Sequence, residues 1–336
     1  MSIMKKLRIP IFLGKKIAGA LITIFLVMSI LFLLLHSVPG GDIATRMDPF
    51  GSAREKALIR QQWGLYRPLY EQYTIYMKKV FTVDYAVFRD QEIDAMDILL
   101  MFLPYTLLLF GSATILSYVI GTYLGMRLLS KKGRWETFIS GTSIILYAVP
   151  AFVLAVYTRS WLVFKYHIFP PVDIVLAPPA TLIVYLDNPS LEQLGDMNVV
   201  IIGMILPLIV LVMVGLARPL FLMKDQMSVI VDEPFVVTAR AKGLTEDRIF
   251  SRHVARCALL PLLSDASINL ALIFSGGILI EYIFNWPGIG QIFFKALKVM
   301  HYPTISASIF LLTVMLLISM FIMDMLYAYL DPRVSL

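Results

Sequence analysis

Six apolar runs, each near the length that crosses a bilayer as a helix, constrain this chain more than anything else in it. They are Ile17–Val38, Leu100–Met126, Phe138–Phe164, Val199–Leu216, Leu262–Phe284 and Thr304–Leu330. A hydrocarbon core of about 30 Å takes roughly 20 apolar residues as a helix. Composition agrees: 59% of the 336 residues are hydrophobic and 15% are charged, against about 45–50% and about 25% in soluble domains. A cytosolic enzyme, a secreted disulfide scaffold and a disordered tail are excluded. Cys257 is the single cysteine, so no internal disulfide staples the fold. The expected fold class is all-α integral membrane, with six transmembrane helices.

Lys15 and Lys16 precede the first run, as they would in a secretory signal. The run is too long for a signal core and no small-x-small cleavage site follows it, so a retained anchor is expected. With the N-terminus inside and six alternating spans, 17 of the 29 Lys and Arg fall on the inner side. Most of the others lie in the long loop 39–99, and long translocated loops weigh little in this rule. Both termini are therefore expected in the cytoplasm. The net charge of +6 expresses that topology and gives no reason to invoke a nucleic acid.

The expected organisation is a cytoplasmic N-terminus (1–16), a first span (17–38), an extracytoplasmic loop domain (39–99) and a transmembrane core (100–336). The core carries a long cytoplasmic segment, 218–261. There Asp232 and Glu233 precede Pro234, which suits a helix start. Gly243 is placed to end that helix in a left-handed cap. Thr245 then offers an N-cap hydroxyl to a second helix, on which Arg248, Arg252 and Arg256 form an i, i+4, i+8 stripe. A pair of short helices with a glycine corner between them fits two roles by its chemistry, a segment lying on anionic lipid or a docking surface.

The residues resemble one family closely. Thr238-Ala239-Arg240-Ala241-Lys242-Gly243-Leu244, followed by His253, Arg256 and Pro261, resembles the EAA loop of ABC-transporter permeases, in particular those of dipeptide, oligopeptide and nickel importers. Where that family usually has a tyrosine, an arginine and an asparagine, this chain has Phe235, Val237 and Cys257, and Lys224 stands for an upstream arginine. Cys257 is then expected to be a small packed side chain. Pro39-Gly40-Gly41-Asp42 is similar to the family's PGDP signature, and Trp63 through Tyr73 to its GLDRPLxxQY stretch. Glu281 through Gly290 matches its W-P-G-x-G loop, and Asp324 through Arg333 its C-terminal DLLYAxLDPR. The departure is Thr82 through Ala86, where the family usually reads G-D-L-G-x-S.

The resemblance implies a non-catalytic permease subunit in a prokaryotic inner or plasma membrane. It implies as partners a second homologous permease, two ATP-binding subunits that hold ATP and Mg²⁺, an extracytoplasmic substrate-binding protein, and membrane lipid. No cofactor or metal is expected on this chain. Short peptides are the expected cargo, with oligosaccharides and nickel chelates as alternatives. Phe235, Thr238, Ala239, Arg240, Ala241, Lys242, Gly243, Leu244 and Arg256 are the expected coupling residues. In that role Phe235, Ala239 and Leu244 fill a groove in the ATPase, and Arg240 and Lys242 pair with its acids. Trp286, Pro287, Gly288 and Gly290 are expected to form an outer scoop that meets the binding protein. Asn269 and Ser275 are possible path-lining groups. Arg159, Asp265 and Asp324 lie close to span ends, which favours structural hydrogen bonds.

The chain lacks a G-x-x-x-x-G-K-S/T phosphate loop, and its four histidines are scattered. A rival of another class, an ATPase-independent secondary transporter or channel, more often shows inverted repeats or mid-membrane charge; neither is evident here.

Overall fold

A computed structural model describes residues 3–38, 43–47, 52–85, 94–130, 133–169, 191–259, 261–262, 265–266 and 277–330. Regular structure there is helical. In chain order the helices are α1 (Ile3–Ser37), α2 (Ile43–Met47), α3 (Ala53–Gln62), α4 (Leu69–Thr82), α5 (Ala95–Ser130), α6 (Arg134–Ala148), α7 (Ala151–Arg159), α8 (Leu191–Gly215), α9 (Ala217–Ile230), α10 (Pro234–Ala241), α11 (Glu246–Arg248), α12 (Ile278–Phe284), α13 (Ile289–Lys298) and α14 (Tyr302–Leu330). They form two compact units, one of Met1–Pro104 with Pro287–Leu336 and one of Tyr105–Trp286.

In the first unit one side of α1 is packed and the other is bare. Met28, Leu31, Phe32 and Leu35 bury against Trp63, Tyr76, Met77, Val80, Tyr302 and Ile305. Ile22, Ile30, Leu33 and Leu34 stay more than half exposed. In water such a strip would be an aggregation surface; in lipid it faces its own solvent. The hydroxyls of Thr23, Ser29 and Ser37 donate to carbonyls four residues back, at 2.6–2.9 Å, so they enter an apolar phase already satisfied. The described helices between the first two spans, α2 to α4, pack onto this core through Ala44, Ile59, Tyr76 and Val80. α3 begins in a capping box, Ser52 with Glu55, and α4 places Tyr73 and Tyr76 edge-on or tilted against Phe32.

Four of the apolar runs are long, unbroken helical stretches: Leu13–Ser37, Ala95–Leu129, Val200–Ile230 and Tyr302–Ile322. The expected third span is not one helix. It breaks at Val149-Pro150 into Arg134–Ala148 and Ala151–Lys165, bent by 97°. Proline lacks the N–H that continues a helix and pushes the preceding residue to extended backbone, and Val149 lies there at φ −80°, ψ 127°. The expected fifth span, Leu262–Phe284, falls mostly outside the described residues; its described helix is Ile278–Phe284. The fourth run does not end at Leu216. It continues helically to Ile230, so residues 218–230, expected within the cytoplasmic segment, extend the span as α9.

In the second unit α9 lies very close to α5. A Cβ built on Gly121 would stand 2.6 Å from the Leu216 carbonyl oxygen, and one on Gly125 would stand 2.6 Å from that of Leu220. The Gly-xxx-Gly spacing thus lets two backbones touch. α7, α8 and α12 close around Ala155, Leu206, Val210, Ile280 and Phe284.

Candidate functional site

α10 begins with Glu233 as an extended N-cap (φ −69°, ψ 146°) and Pro234 in its first turn. Val236 and Ala239, three residues apart, share the apolar face and bury against Met223, Met227, Ile249, Val254 and Ala258. Phe235, Val237, Thr238, Arg240, Ala241 and Lys242 are exposed, with Phe235 at 42% and Val237 at 58%. The expectation that Ala239 and Leu244 fill a partner's groove is therefore corrected. Ala239 is buried in the chain's own core and Leu244 packs half-buried on the same cluster. Of the three apolar residues assigned that task, Phe235 alone points outward.

The corner after α10 is built from two backbone bonds and a left-handed glycine. Gly243 has φ +77°; its N–H donates to the Arg240 carbonyl at 2.9 Å and the Leu244 N–H to the Ala239 carbonyl at 3.3 Å. This two-bond closure needs positive φ at its centre, which glycine adopts without penalty. Arg240 spans the corner: its Nε donates to Glu246 Oε1 at 2.7 Å and its Nη2 to Oε2 at 3.3 Å. That hydrogen bond holds the Glu246 carboxyl below its ordinary range and raises the Arg240 guanidinium. Arg240, expected to pair with a partner's acid, thus has an acid of its own chain. Lys242 is exposed beside it.

Thr245 has N-cap backbone, φ −67° and ψ 145°, but its side chain makes no capping bond; the hydroxyl expected there is not used. The second helix passes at once into a π-helical turn, Ile249–Val254. Arg248, Arg252 and Arg256 all remain exposed, and Arg252 and Arg256 line a pocket with Met126, Ala255 and Leu259. Cys257, expected to be packed, is exposed, since the buried face of this helix carries Val254, Ala255 and Ala258 instead.

This corner is tied to the spans. Val236 and Ala239 rest on Met223 and Met227 of α9, and α9 is set against α5 at Gly121 and Gly125. Lys224 of α9 also pairs with Glu136 of α6 at 2.7 Å. A push on the outward face of α10 therefore meets packed side chains along the whole route, and such elements shift as bodies.

The W-P-G-x-G loop is placed differently from expectation. Trp286, Pro287, Gly288 and Gly290 are all buried, so none of them offers an outward contact. Trp286 is a core residue: its Nε1 donates to the Tyr105 carbonyl at 3.0 Å, and the two rings meet edge-on at 5.9 Å. An indole is the largest apolar surface available to a core provided that its N–H finds an acceptor, which it does here.

Arg159, Asp265 and Asp324 each have a protein partner. The Arg159 guanidinium donates to the Ile283 carbonyl and lies 5.4 Å from the centre of the Phe164 ring. Asp265 accepts from Arg218 Nε at 2.9 and 3.0 Å and from the Tyr118 hydroxyl. Asp324 pairs with Lys16. Asn269 and Ser275 lie outside the described residues. Among the described residues no cluster of three or more His, Cys, Asp or Glu comes together.

Two family models cover nearly the whole chain. Residues 117–336 match the binding-protein-dependent transport system inner membrane component, and residues 9–107 match the N-terminal model of the same membrane component. The chain belongs to this family of ABC-importer permeases. The permease is 26% identical over 326 residues to a dipeptide transport system permease protein of Lactococcus lactis subsp. cremoris (strain MG1363), covering 96% of this chain and 98% of that one. A dipeptide transport system permease protein of Escherichia coli (strain K12) is 26% identical over 326 residues, at 94% and 96% coverage. A glutathione transport system permease protein of the same organism is 26% identical over 335 residues, at 95% and 97%.

Two residues of the permease escaped the sequence reading. Glu281 is 1% exposed and accepts from the Thr106 hydroxyl at 2.7 Å. An acid inside the fifth apolar run is the signal for it in the sequence, since such groups are costly in a membrane unless satisfied. Arg218 was counted as a loop charge because the fourth span was ended at Leu216. Only the continued helix brings it to Asp265.

Proposed function

We propose that this permease forms half of a translocation path for short peptides, working by alternating access beside a second homologous permease. Two ATP-binding subunits supply the energy, and ATP and Mg²⁺ reside on them. An extracytoplasmic binding protein delivers the cargo. ATP-driven closure of those subunits acts on α10, which lies on the cytoplasmic side in this reading, and opens the path outward; hydrolysis resets it.

The observation that carries the reading is the split character of α10. One face is packed into the chain through Val236 and Ala239, while Phe235, Val237 and Lys242 are left outward at a corner held by Gly243 and the Arg240–Glu246 pair. A helix whose only task was to lie on lipid would not need its exit angle set by a left-handed residue and a bridging ion pair. The cargo class is supported by relatives named for dipeptide and glutathione transport, both small peptides.

The test is reconstitution in proteoliposomes with partner subunits, a cognate binding protein and a mixed peptide library, reading what accumulates when ATP is supplied. Phe235→Ala with Lys242→Glu alters only the outward face. ATP-dependent uptake should fall about tenfold or more, the scale of losing one anchoring aromatic in an interface, with unchanged membrane abundance. Normal uptake at normal abundance would remove α10 from the coupling role. Robust ATP hydrolysis without peptide enrichment would keep the importer and discard peptides in favour of sugars or metal chelates.

A further inference from the structure

Within the first unit, α1 and α14 leave a groove of about 490 Å³ between them. Its walls are apolar, with Ala20 and Ile24 on one side and Leu317 and Phe321 on the other. Its rim is charged, by Lys15, Lys16 and Asp324. The hollow comes from small residues: a Cβ on Gly19 would meet nothing within 4 Å, and Ala20 adds a single methyl.

Depth and charge together identify the occupant. From Lys15 to Ile24 is nine helical steps, about 13–14 Å at about 1.5 Å each, and from Val314 to Asp324 about 15 Å. Half of a hydrocarbon core of about 30 Å is the depth of one leaflet. A neighbouring transmembrane helix would need a seat running through both leaflets, whereas this groove ends at Ile24. At the rim Lys16 is paired with Asp324, so Lys15 leaves the lining residues with a net positive charge at the level where head groups lie.

We propose that the groove holds one anionic phospholipid, with an acyl chain between Ala20 and Leu317 and its phosphate against Lys15. The groove shares no lining residue with the coupling corner. It serves the leaflet that Lys15 faces, which is the inner one if the N-terminus is cytoplasmic.

The experiment is native mass spectrometry of the full-length permease in mild detergent, with phosphatidylglycerol or phosphatidylcholine added at equal concentration. Phosphatidylglycerol should be retained in preference. Lys15→Gln should reduce that preference about fivefold, the contribution of one lysine near an anionic surface. Ala20→Trp, which fills the groove, should remove bound lipid of either kind. Phosphatidylglycerol with a photoreactive acyl chain should label the stretches around Ala20 and Leu317 in the unaltered chain well above Ile30 and Leu33, which face lipid without a groove. This labelling decides the matter even if Ala20→Trp fails to insert. Equal retention of the two lipids, no effect of Lys15→Gln, or labelling spread evenly along α1 would overturn the site. So would a protein cross-link from a photoreactive residue at position 20 in native membranes, which would give the groove to a neighbouring subunit.

Discussion

Val83 shows how a single position can carry strain. It closes α4 with φ 55° and ψ 38°, a left-handed conformation that costs an L-residue about 1–2 kcal/mol and suits a β-branched one least. Two bonds demand it: the Val83 N–H donates to the Val80 carbonyl at 3.2 Å and the Asp84 N–H to the Lys79 carbonyl at 2.9 Å. Val83→Gly should therefore stabilise the permease. Relief of the left-handed strain outweighs the roughly 0.4–1 kcal/mol that glycine's freedom costs through the unfolded chain, leaving a net gain of about 0.5–1 kcal/mol. A higher melting temperature in detergent is the expected reading; a lower one would show that the valine side chain contributes more than its partial exposure suggests. Gly243 was legible for the complementary reason, because a glycine after a short amphipathic stretch has one common structural use. The roles of Ala239, Cys257 and Trp286 were not legible, because a motif fixes which residues stand together and says nothing of which side of a three-dimensional cluster each one faces.

The same contrast holds between helices. The run lengths located α1, α5 and α14, whose apolar residues outnumber every alternative use. Two boundaries were misread, each for a local reason. Pro150 sits inside an apolar run and bends it by 97°, which a count of apolar residues does not register. Arg218 and Lys224 suggested a loop, but each is an ion-pair partner on a continuing helix, bonded to Asp265 and Glu136. Gly121 and Gly125 let α9 come so near α5 that a Cβ built on either would stand 2.6 Å from a carbonyl oxygen. Gly125→Leu should thus destabilise the permease by about 1–3 kcal/mol or more, the usual penalty for forcing extra volume into a packed contact, because the nearest obstructing atom is the Leu220 backbone oxygen, with the Met223 Cβ close behind it. Gly141→Ala in α6 should change stability by less than about 1 kcal/mol, and in the favourable direction, since nothing lies within 4 Å of the added methyl and alanine is the better helix former. Thermal unfolding of both variants in one detergent makes the comparison; equal effects would mean that α9 can move away from α5 at little cost, and would weaken the case for a rigid route from α10 into the spans.

At the scale of the whole molecule the decisive quantity is the parity of membrane crossings. Four unbroken apolar stretches, the bent pair 134–165 and the run 262–284 give six crossings if the bent pair counts as one. Six crossings return the C-terminus to the side of the N-terminus. A bent pair that dips in and leaves on the same side would give five, and the termini would lie on opposite sides. The distribution of Lys and Arg favours six with both ends inside, because it gathers the basic residues of the short segments on one face. The chain offers a probe of its own, since its single cysteine, Cys257, is exposed in the segment assigned to the cytoplasmic side. With the permease expressed without its partners, a membrane-impermeant maleimide should label Cys257 in inverted vesicles and leave it unlabelled in right-side-out ones. Protease-sensitive tags on the two termini should follow Cys257 in both preparations. Labelling of Cys257 from outside would reverse the orientation and remove α10 from reach of any cytoplasmic ATPase. Tags that behave oppositely to one another would instead make the bent pair re-entrant, and a re-entrant pair would place the Pro150 corner inside the membrane, where its unbonded backbone must line a cavity or be covered by protein.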